Sequence, residues 1–75
     1  MTTEPEIIDA RGLKCPLPVL KLEKRLSQVP VATVLVVLAT DPLARIDIPL
    51  HCKQHGHGYD LATEGEVMRF SITKA

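Results

Sequence analysis

Apolar and polar positions along the chain fall into six segments separated by glycine, proline and Asp-Pro breaks. Glu6 to Ala10 reads as a short strand, and Gly12 closes it. From Leu17 to about Gln28, Val19, Leu22 and Leu26 recur at helical spacing. Lys21, Lys24, Arg25 and Gln28 fall mostly on the other side, which predicts an amphipathic helix lying on the surface. Pro30 stops this helix, and the β-branched run Val31 to Ala39 suits a central strand.

Thr40-Asp41-Pro42 places cap-type residues ahead of a proline, a helix-start signature, and Asp47-Ile48-Pro49 repeats it. Leu43 to His55 is therefore expected to be a short turn leading into a second helix that starts near Pro49, with Gly56 and Gly58 ending it. Tyr59 to Thr63 and Val67 to Thr73 read as strands joined at Glu64-Gly65-Glu66. In the last of them Met68, Phe70 and Ile72 alternate against Arg69 and Ser71. The order βαβαββ predicts an α/β fold of the α+β type. It is a two-layer sandwich, a four-stranded mixed sheet with two helices on one face. A length of 75 residues leaves room for one domain, 1–75, near the lower limit for a single apolar core.

Composition narrows the function. The chain is 45% hydrophobic with a formal net charge of zero, so it is globular and has no overall attraction for polyanions. Tyr59 and Phe70 are its only aromatic residues, too few to stack bases, so no direct nucleic-acid partner is expected. The N-terminal residues up to Glu6 show no secretory pattern, and the longest apolar run is far short of the about 20 residues that span a bilayer. A cytoplasmic protein without a membrane partner is expected. Its two cysteines are then reduced thiols, not a structural disulfide.

Chemistry concentrates in Asp9-Ala10-Arg11-Gly12-Leu13-Lys14-Cys15-Pro16-Leu17-Pro18. A loop after the first strand delivers Cys15 to the start of the first helix. There the positive end of the backbone dipole and unpaired N–H groups favour thiolate over thiol. Arg11 and Lys14 are expected to push the same way, while Pro16 and Pro18 stiffen the first turn. No general base is evident near the sulfur, and Asp9 is read as structural, ending the strand.

Gly12-Leu13-Lys14-Cys15-Pro16-Leu17-Pro18, followed by Thr40-Asp41-Pro42 and Asp47-Ile48-Pro49, resembles the TusA/SirA family of sulfur carriers with its Cys-Pro-x-Pro motif, over nearly the whole chain. The resemblance implies the same sandwich. It also implies that Cys15 carries sulfur as a persulfide, taken from a cysteine desulfurase or rhodanese-type donor and passed to an acceptor sulfurtransferase protein. tRNA thiolation, molybdenum-cofactor, selenium or sulfur-oxidation pathways are the destinations it allows. An arginine often found directly before the Asp47-type aspartate is Ile46 in this chain, with Arg45 one residue earlier.

Other polar groups have plainer readings beside the functional ones. Asp41 and Asp47 match family positions, yet are expected to act as caps for unpaired N–H groups. Cys52, inside the second helix, is expected to pack as a small hydrophobe, with an accessory thiol as the alternative. His51, Cys52, His55 and His57 form an incomplete ligand set, so no metal and no cofactor is expected. Lys21, Lys24 and Arg25 form a basic stripe suited either to plain solvation or to docking an acidic partner. A monomeric sulfur carrier is the leading reading. The alternative is a regulatory or redox-sensing binding module that uses the basic first helix.

Overall fold

A computed structural model describes residues 5–75; residues 1–4, which carry most of the N-terminal stretch read for an export signal, lie outside it. The elements follow the order β1 (Glu6–Ala10), α1 (Leu17–Leu26), β2 (Val34–Ala39), α2 (Ala44–His55), β3 (Gly58–Glu64) and β4 (Val67–Thr73). The sheet order is β1-β2-β4-β3. β2 pairs parallel with β1 and antiparallel with β4, which pairs antiparallel with β3. Both helices cover one face of this mixed sheet, as expected. No helix among the described residues is long and apolar enough to cross a membrane.

The core forms where the inward positions of each strand meet the apolar stripes of the helices. Ile8, Ala10, Leu35, Val37, Ala39, Met68, Phe70 and Ile72 come from the sheet, and Leu22, Leu26, Ala44, Ile48 and Cys52 from the helices. The period of two in β4 buries Met68, Phe70 and Ile72 and exposes Arg69. Between β3 and β4, Glu64 pairs with Val67, leaving a two-residue loop that begins with Gly65 at φ 61°. A type II′ hairpin turn calls for glycine at that position.

Two boundaries differ from the sequence reading by more than two residues. β2 starts at Val34, not Val31, because Thr33 N–H closes a turn onto the Pro30 carbonyl and Ala32 takes φ 71°. The chain there bonds to Lys74 through Ala32 N–H and the Thr33 carbonyl, and Val31 is left exposed. The larger correction concerns α2, which begins at Ala44 and carries Pro49 inside it. Pro42, not Pro49, belongs to the start signal: Leu43 N–H bonds Asp41 Oδ1 at 3.2 Å and Ala44 N–H bonds the Asp41 carbonyl at 2.9 Å. Pro49 removes the donor for the carbonyl of Arg45, an exposed residue that water can reach. At the other end Gly56, at φ 74°, supplies the left-handed residue that closes the helix, and His57 N–H reaches back to the Cys52 carbonyl.

Parallel pairing of β1 and β2 places the site. Ala10 lies opposite Ala39, so the loops leaving the two strands emerge side by side. One loop carries Cys15 and the other carries Asp41 into α2.

Candidate functional site

The Cys15 loop is tied to its neighbour by backbone donors. Gly12, at φ 78°, gives its N–H to Thr40 Oγ1 at 2.9 Å, and Leu13 N–H returns to the Ala10 carbonyl. Cys15 N–H is held by Asp41 Oδ2 at 2.6 Å. The Cys15 thiol donates to Asp47 Oδ2, from the first turn of α2. Two carboxylates, 26 and 32 residues away in sequence, thus grip the backbone and the sulfur of one residue.

This arrangement reverses the expected electrostatics. The thiol pKa of Cys15 is pushed up, chiefly by its hydrogen bond to Asp47, with desolvation and the charges of Asp47 and Asp41 acting in the same direction. The helix start cannot offset this, because few of its N–H groups are free. Pro16 and Pro18 have none, Leu17 N–H is taken by the Lys14 carbonyl, and Cys15 N–H is taken by Asp41. Arg11 does not help either. It pairs with Asp9 through Nε–Oδ1 at 2.8 Å and Nη2–Oδ2 at 2.9 Å, which holds the Asp9 carboxyl well below the usual carboxylate range. Asp9 therefore orders the Arg11 side chain as well as ending β1.

Asp41 binds Leu43 N–H just ahead of α2, but Asp47, inside the first turn, does not cap the helix. Its carboxylate points at the sulfur instead. A shallow cleft of about 320 Å³ opens beside that pair, lined by Cys15, Pro16, Val19, Asp47, Leu50, His51 and Gln54. Sequence reading missed Leu50 and Gln54 altogether and placed Asp47 and His51 in other roles. Once α2 is known to start at Ala44, Asp47, Leu50, His51 and Gln54 recur at three- and four-residue spacing along one helix face. That spacing is the signal that an early helix start would have exposed.

The remaining candidates separate. Gly12 shapes the loop, Pro18 is buried beneath it, and Lys14 is exposed. In the basic stripe, Arg25 is bound to Glu6 at 2.6 and 2.7 Å and to Gln28, and Lys21 Nζ to the Asp9 carbonyl at 2.8 Å. Lys24 is left without such an engagement among the described residues. Cys52 is fully buried, and burial pushes its thiol pKa up. His51, His55 and His57 approach one another with ring centroids 4.4 to 6.3 Å apart. His57 Nδ1 accepts Ala75 N–H, and among the described residues no group of three or more metal-ligating side chains is placed to hold an ion.

Fold and site together define a small two-layer α/β protein that presents one exposed thiol at the paired ends of two parallel strands. The family model described as Sulfurtransferase TusA matches residues 6–74, and the chain belongs to that family. It is 32% identical over 75 residues to the sulfur carrier protein TusA of Buchnera aphidicola, covering 99% of this chain and 95% of that one. A sulfur carrier protein TusA of Pseudomonas putida is 44% identical over 55 residues, 73% of this chain and 69% of the relative. The crystal structure of the SirA-like protein from Desulfitobacterium hafniense superposes with a TM-score of 0.82 at 25% identity, covering 89% and 93% of the two chains.

Proposed function

We propose that Cys15 is the residue on which this sulfur carrier holds its cargo. The carrying observation is accessibility: of the two cysteines, Cys15 is exposed beside a cleft and Cys52 is buried in the core. In the loading step the Cys15 sulfur, after losing its proton, attacks the outer sulfur of a donor persulfide. The donor S–S bond breaks and its inner sulfur leaves as a thiolate, which takes up the proton. Cys15 then bears the persulfide, and no net oxidation occurs. An acceptor thiolate repeats the exchange on the outer sulfur of Cys15.

Asp47 holds the resting thiol in its protonated form. This lowers the thiolate fraction, while the thiolate that does form is the stronger nucleophile for its higher pKa. Membership of the sulfurtransferase family favours the carrier reading over a redox-sensing module. The donors are of the cysteine desulfurase or rhodanese type. Acceptors feed pathways such as tRNA thiolation, reached through proteins and not by direct nucleic-acid contact. The protein acts as a cytoplasmic monomer.

The test is intact-protein mass spectrometry after incubation with a cysteine desulfurase and cysteine, and with inorganic polysulfide, on wild type, Cys15→Ser and Cys52→Ala. Reductant-sensitive gain of one sulfur that disappears only in Cys15→Ser is the expected result. No gain from any donor, or a gain that survives in Cys15→Ser, would refute the assignment.

A further inference from the structure

Helix α2 carries apolar side chains on two sides. Ala44, Ile48 and Cys52 enter the core, while Ile46 and Leu50, in line with Leu43 just ahead of the helix, stand 63%, 50% and 53% exposed. A helix needs only the first set to pack against its sheet, so the second row is unexplained by folding. Beside it, between α2 and β3, lies a groove of about 470 Å³. Ile46, Pro49, Leu50 and Leu61 line it, and Arg45 and Lys53 stand along it. Neither cation is paired with a carboxylate among the described residues, whereas Arg11 and Arg25 both are. Leu50 lines this groove and the Cys15 cleft alike, so the two depressions adjoin.

We infer that this groove docks the sulfur-donor protein, through a segment that presents apolar side chains and carboxylates next to its persulfide cysteine. The inference rests on the carrier role of Cys15. Charge selects the occupant. Arg45 and Lys53 are about two helical turns apart, roughly 12 Å along the axis, and call for two carboxylates at a similar separation. A second copy of this chain is the wrong partner, because a two-fold contact through the groove would bring these cations against their own kind. The basic stripe of α1 is less suited, since Arg25 and Lys21 are already engaged within the chain. The groove lets a donor seat beside Cys15 without displacing anything from the core.

The experiment measures the rate at which Cys15 gains sulfur from three persulfide probes at low salt. Two are synthetic peptides with one cysteine persulfide flanked by leucines, one bearing glutamates and the other lysines. The third is benzyl hydropersulfide, which is small and has no flanking charged residues. Wild type is expected to load about tenfold faster from the glutamate peptide than from the lysine peptide, a preference lost as salt shortens the screening length. In Arg45→Glu/Lys53→Glu the preference should vanish or reverse, with benzyl hydropersulfide loading both proteins at one rate. Both positions are exposed, and circular dichroism checks that the variant is folded. Equal rates for the two peptides, or a glutamate preference that the double variant retains, overturns the proposal. So does a wild-type dimer in sedimentation that the double variant abolishes. If even benzyl hydropersulfide leaves Cys15 unloaded, the carrier role fails first and the docking proposal falls with it.

Discussion

Replacing Cys52 by serine and by alanine separates a packing role from a chemical one. Cys52 is fully buried within the cluster that includes Leu22, Ile48, Phe70 and Ile72. Alanine there removes one sulfur atom and leaves a small cavity, at about 1 kcal/mol. Serine refills most of the volume but places a polar hydroxyl in this apolar cluster. Burying it costs about 2 kcal/mol. Against a total stability of roughly 4–11 kcal/mol for a chain of this length, both effects are measurable. For a domain of this size each kcal/mol lowers Tm by about 4–8 °C, so serine should lower it by roughly 8–16 °C and alanine by about half as much. Thermal unfolding followed by circular dichroism gives the ranking, and mass spectrometry of the loaded protein gives the chemistry. Sulfur loading at Cys15 should survive in both variants below their melting points. A serine variant as stable as the alanine variant would refute the packing argument, and loss of loading in Cys52→Ala would restore the accessory thiol.

Two further predictions concern protons. Asp47→Asn removes the carboxylate that opposes the Cys15 thiolate, so the pH profile of iodoacetamide alkylation should move to lower pH and the rate at neutral pH should rise; an unchanged or higher midpoint contradicts the hydrogen-bond geometry. His51 has its pKa pushed down by burial and by His55 and His57, with only Glu23 pulling the other way. The unfolded chain therefore binds a proton that folded His51 refuses, so stability present above the unfolded value of about 6.5 is lost as pH falls toward the lowered folded value. Urea midpoints measured across that window should fall less in His51→Gln than in wild type, and an equal or steeper fall in the variant would dispose of the idea.

Local pattern was enough for much of this protein, and the reason is physical. The period of two in Val67–Thr73 and the spacing of Leu22 and Leu26 report burial directly, because a small domain can bury only the side of each element that faces its one core. Glycine and proline punctuation marked the order of elements, and the neighbourhood of Cys15 marked the thiol. The start of α2 was misread for a local reason too: two Asp-x-Pro or Asp-Pro signals compete within nine residues, and only the Asx-type bonds of Asp41 decide that the earlier one nucleates the helix.

Tertiary structure alone decided the chemistry around the sulfur. Residues near Cys15 in sequence suggested a thiolate stabilised by Arg11, Lys14 and a helix terminus. Parallel pairing of β1 with β2 instead brought Asp41 and Asp47 onto it, while Asp9 drew Arg11 away. Charge and hydrogen bonding act through space over a few ångströms, and the separations of 26 and 32 residues that the fold closes leave no trace in local periodicity. The sequence by itself therefore singled out the thiol proposed to carry sulfur, and the fold chose the two carboxylates that surround it.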